Sequence, residues 1–123
     1  MASPSPRPTA DDVTPSYNEV RLRGRLAGDL VERTLPSGDP VVSFRIVVQR
    51  EPGPRRRAPV DALDCSAYRA DVRRKLLRWS VGDIVEVQGR LRRRFSRSTG
   101  VPISRYDVEV TSARRATWGD RPP

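Results

Sequence analysis

The sequence contains no histidine, a single cysteine (Cys65) and a single lysine (Lys75). Without histidine, hydrolytic triads and imidazole metal sites are excluded. One cysteine makes neither a disulfide framework nor a thiolate zinc site. No glycine-rich phosphate loop with its lysine is present. No apolar run approaches the roughly 18 residues needed to cross a bilayer. The opening MASPSPRPTADDVTPS lacks the apolar stretch of a secretory signal. These absences predict a non-enzymatic, cytoplasmic chain with no cofactor, no metal and no membrane partner. Asp107 and Glu109 alternate on one strand face and could in principle hold Mg²⁺, but alternating exposed acids usually face water.

What is present is charge. Twenty-four basic residues stand against fifteen acidic ones, a formal net charge of +9, in 123 residues that suit one domain. Residues 1–17 carry one arginine and two aspartates, and residues 18–113 carry twenty basic and twelve acidic side chains. The excess thus belongs to the part expected to fold, where it makes a surface field suited to a polyanion. Twenty-three of the basic residues are arginine, which pairs with phosphate in a bidentate fork and stacks on bases.

Four prolines among Ser, Thr and Ala predict a disordered tail over 1–17, and 114–123 is expected to be a short basic tail. Between them, period-two alternation dominates. Val20, Leu22 and Leu26 alternate with Arg21, Arg23 and Arg25, with Gly24 on the apolar side, where a barrel strand bends. A turn at 35–40 leads to a second strand, with Val42, Phe44, Ile46 and Val48 inward. A Pro- and Arg-rich loop over 51–59 precedes a third strand with Leu63, Cys65 and Ala67 inward. Val72, Leu76 and Trp79 then stand at helical spacing, widened by Leu77, with Asp71 as a candidate N-cap and Gly82-Asp83 as the stop. Val85, Val87 and Leu91 mark a fourth strand, and Tyr106, Val108 and Val110 a fifth. The order predicts a mainly all-β chain and is that of a five-stranded OB-fold Greek-key barrel over 18–113, with one short helix between strands 3 and 4; an SH3-like barrel or an irregular sandwich would share much of it.

The stretch Asn18-Glu19-Val20-Arg21-Leu22-Arg23-Gly24-Arg25-Leu26 resembles the first strand of bacterial single-stranded DNA-binding proteins. Leu35-Pro36-Ser37-Gly38 is similar to that family's turn, Val41 to Ile46 to its second strand, and Gly82 to Leu91 to its fourth. Gly100, Arg105 and Tyr106 match its closing hairpin. The resemblance implies sequence-independent binding and protection of single-stranded DNA in replication, recombination or repair, at the nucleoid. It also implies a homotetramer built as a dimer of dimers. Two stacking aromatics of the family are missing, one in 50–54 and one at Leu63. Phe95 and, approximately, Tyr68 keep two others. The family's acidic C-terminal tip is absent, so recruitment of partners through one is not expected.

The expected strand-binding residues are therefore Arg21, Arg23, Arg25, Arg45, Arg92, Arg94 and Arg105 on strands. Arg50, Arg55, Arg56, Arg57 and Arg97 join them from loops, with Phe95 and Tyr68 as base platforms. Successive arginines on one strand face stand roughly 6.5–7 Å apart, near the phosphate spacing of an extended strand. The alternatives are a protein-interaction module resembling primosomal accessory proteins, and an RNA-binding module on the same barrel.

Overall fold

Alternation with β-branched and leucine side chains builds the first strand, β1, over Val20–Thr34. Leu26 is fully buried and Leu22 half-buried, while Arg21 and Arg25 point outward. The strand outlasts the predicted end at Leu26. Between Ala27 and Val31 it holds two more residues than its partner, and Gly28 there adopts φ +74°, a conformation glycine takes at little cost. That irregularity breaks the pattern on which the sequence reading relied. The computed structural model describes residues 14–50, 59–96 and 100–116.

Strand β2 (Pro40–Gln49) pairs antiparallel with β1 and with β3 (Val60–Ala67). Helix α1 (Ala70–Arg78) follows, then β4 (Ile84–Ser96) and β5 (Ile103–Arg115). The strands close in the order β1-β2-β3-β5-β4, the five-stranded barrel expected, with its helix between strands 3 and 4. β5 runs past the predicted boundary at 113, and Ala116 N–H still donates to the Ile84 carbonyl at 2.7 Å.

The core is the set of inward positions: Leu26, Val42, Phe44, Ile46, Cys65, Ala67, Val85, Val87, Val108 and Val110, with Ala113. Helix α1 adds Val72 and Leu76, its two buried residues, and truncating such a leucine to alanine costs about 2–5 kcal/mol. Leu77 is half exposed and does not widen the buried stripe. Asp71 is not the N-cap: that position is Arg69, without a side-chain cap. Asp71 lies in the first turn instead, where a carboxylate suits the helix dipole and accepts from Arg69 Nε at 3.1 Å. The lone lysine, Lys75, ties α1 to β5 by donating to the Ala113 carbonyl at 3.2 Å.

Two features set the long β4–β5 hairpin. Thr111 is an extra residue on β5 opposite Gln88/Gly89, so the inward set switches from Val110 to Ala113. Gly89 lies so close to the Glu109 carbonyl that a Cβ there would collide with backbone. Beyond Gly89, β4 leaves β1 and pairs only with β5. Asn18 covers the abandoned edge: its amide donates to the Leu91 carbonyl and accepts from Leu91 N–H, both at 2.8 Å. The hairpin then continues into solvent. Leu91 and Tyr106, read from the sequence as inward, are therefore exposed.

Candidate nucleic-acid interface

The outward face of β2 and β3 carries Ser43, Arg45, Asp64 and Ser66, all on the parity opposite to the core. The β4–β5 hairpin rises beside this face. Its Arg92, Arg94, Arg105, Asp107 and Glu109 share one side by cross-strand register. Two adjoining depressions result. One is lined by Ala27, Gly28, Val31, Ser43, Arg45, Asp64, Arg105 and Asp107. The other is lined by Arg33 to Pro36, Ser43, Ser66, Tyr68, Arg94, Phe95, Ile103, Arg105 and Asp107. Because they share Ser43, Arg105 and Asp107, they form one open trough from Arg45 to Phe95.

Arg94 is the most embedded cation in this trough. Its Nε donates to Asp107 Oδ1 at 3.1 Å, and its Nη2 reaches Ser66 Oγ at 3.4 Å and Glu109 Oε1 at 3.5 Å. The guanidinium also lies 5.4 Å from the Tyr68 ring centre, a cation–π contact. Burial alone would lower its pKa; the Asp107, Tyr68 and Glu109 oxygens outweigh burial and raise it. Arg45 donates to Asp64 Oδ1 at 2.8 Å. Arg105 is exposed and carries no ion pair among the described residues.

Phe95 is 69% exposed. The Arg93 guanidinium stands 4.9 Å from its ring centre and 6.0 Å from that of Tyr106. Both Arg93 and Arg33 escaped the sequence reading. Arg93 lies two residues before Phe95 and so on the same strand face, which was the available signal. Arg33 follows the irregularity in β1, where no local pattern indicated a strand.

The remaining arginines do not join the trough. Arg21, Arg23 and Arg114 converge on Glu86 across β1, β4 and β5, at 3.1, 3.3 and 3.3 Å. Glu86 is only 7% exposed. Burial pushes its carboxyl up, and the surrounding guanidiniums more than reverse this, holding it below the usual carboxylate range. Arg25 is exposed and borders a separate hollow with Val47, Val60 and Ile84. Arg50 pairs with Asp61 at 2.8 Å, and Asp61 opposes Val48, on the core-side parity of the ladder. That mutual hydrogen bond raises the Arg50 pKa and lowers that of Asp61. Arg92 is exposed beside Arg94. Arg55, Arg56, Arg57 and Arg97 lie outside the described residues, as do residues 1–13 of the tail predicted over 1–17.

The expected single arginine track is thus divided between two faces, and many of its members are paired with acids. Each strand carries its own arginine alternation, but register decides which carboxylate stands opposite. Cys65 lines the first depression yet is buried, and burial together with Asp107 and Asp64 pushes its thiol up to about 12. It is not a nucleophile at neutral pH.

Residues 17–116 match the family model described as single-strand binding protein family. The chain is 37% identical over 113 residues to the single-stranded DNA-binding protein of Thermotoga maritima, covering 87% of this chain and 77% of that one. Among solved structures it is similar to the small single-stranded DNA-binding protein from Streptomyces coelicolor, with 26% identity and a TM-score of 0.60 over 80% of this chain and 93% of the other. It is also similar in fold to the Plasmodium falciparum protein solved in complex with single-stranded DNA. There the TM-score is 0.70 at 19% identity, covering 84% and 96% of the two chains.

Proposed function

This chain belongs to the single-strand binding protein family, and we propose that it coats unpaired DNA without reading its sequence, in replication, recombination or repair. The observation that best supports this is the trough itself, in which cations and aromatic rings are interleaved. Arg33, Arg45, Arg94 and Arg105 border it together with Tyr68 and Phe95. Guanidiniums neutralise phosphates, and rings stack on any base because every base has a π-face. Neither contact distinguishes one base edge from another.

The family's relatives are binding proteins, not enzymes, and we infer the same for this chain. Its action is stoichiometric cover: phosphates held by arginine, bases parked on Phe95 and Tyr68, and the strand kept from re-pairing. We further infer a homo-oligomer, a tetramer by family resemblance, acting at the nucleoid in the cytoplasm. Fluorescence anisotropy with a labelled dT oligomer and a duplex of equal length tests the reading. Tighter binding of the oligomer, weakening as NaCl rises, is expected. Equal affinity for the duplex, or no binding of either, would overturn it.

A further inference from the structure

The cations of the trough arrive with anions already in place. Arg45 holds Asp64 at 2.8 Å and Arg94 holds Asp107 at 3.1 Å, whereas Arg105 between them carries no ion pair among the described residues. The two aspartates differ in setting. The Asp64 side chain is 41% exposed, so its pair opens without a cavity, while that of Asp107 is 9% exposed. A strand phosphate reaching Arg45 therefore meets a carboxylate of like charge that already holds its Nε, and competes with it for the guanidinium.

We propose that Asp64, with Asp107 behind it, is a resident competitor of the strand's phosphates that limits affinity and hastens release. This rests on the trough being the strand's path. Exchange of one oxyanion for another gains little Coulomb energy. The freed carboxylate then stands beside the bound phosphate, ready to retake its arginine as the strand peels away. The chain has an excess of nine positive charges overall. Such competition keeps the protein from clinging to every phosphate it meets and leaves base stacking as the deciding attraction.

The alternative role for Asp64 is to position Arg45, and it predicts the opposite sign. The test uses the full chain carrying Asp64→Asn, measured by anisotropy and stopped-flow dissociation from a dT oligomer across NaCl concentrations. Glu19→Gln, at an exposed position just before β1, adds the same unit of net charge away from the trough. Releasing one arginine steepens the log–log salt slope by about 0.7, which is roughly fourfold tighter binding at 0.15 M salt. Asp64→Asn should show that gain with slower dissociation, Glu19→Gln should not, and Arg45→Ala should abolish the effect of Asp64→Asn. Weaker binding by Asp64→Asn, or a change no larger than that of Glu19→Gln, overturns the inference. A wild-type chain that ignores the dT oligomer defeats the proposed function itself.

Discussion

Replacing Arg105 by alanine removes the exposed cation that both depressions share. Its side chain is not needed for the core, so the variant should fold with unchanged thermal stability. A single arginine neutralising one phosphate of a single strand contributes about 0.7 to the log–log salt slope. Taking that contribution to vanish near 1 M salt, the variant should bind about eightfold more weakly at 50 mM. The loss should shrink to about fourfold at 150 mM and to less than twofold at 500 mM. The assay is anisotropy of a labelled dT oligomer at each salt concentration, with Arg21→Ala alongside. Arg21 is committed to Glu86 on another face, so its removal should leave the slope unchanged. A loss from Arg105→Ala that is constant across salt, or one matched by Arg21→Ala, would refute the placement of the strand in this trough.

Three further outcomes follow from the geometry. Phe95→Ala should weaken binding by about 1–3 kcal/mol while leaving the salt slope intact, since stacking releases no counterions; a flatter slope in the same titration would argue against a base platform. Gly89→Ala should lower the melting temperature, at a cost of about 1–3 kcal/mol of overpacking or more, because a Cβ there meets the Glu109 backbone; thermal denaturation measures it. Glu86 has a folded pKa below its ordinary 4.5, so its stabilising contribution is present above that value and lost as pH falls through the folded pKa. Glu86→Gln should therefore flatten the acid limb of a stability-against-pH curve below about pH 4.5, and an unchanged limb would contradict the assignment.

The barrel was legible from the sequence because the signal that encodes it is local. Phe44 and Ile46 flank Arg45, Val85 and Val87 flank Glu86, and all four apolar residues are buried, as period-two packing against one core requires. Val72 and Leu76 announced the helix by the same logic at another period. Failures arose where chemistry depends on residues far apart in the chain. Arg21 and Glu86 are separated by 65 positions, and nothing near either one indicates the other. Leu91 and Tyr106 fit an inward alternation, yet the hairpin bearing them outruns the barrel that would bury them. The arginine-rich surface was readable as composition, but its division into neutralised pairs and bare cations was not.

The barrel wall is not equally strong around its circumference. β4 and β5 are matched from Val85 to Ser96, whereas β3 and β5 meet through Cys65 with Val108 and Ser66 with Glu109. This narrow join is the place where the cylinder can breathe first, and amides there should exchange with solvent sooner than those of the hairpin. A guest laid from Arg45 on one side of the join to Arg105 on the other would bridge it like a suture. Occupancy would then be felt as slower exchange along β3, even at amides the guest never touches.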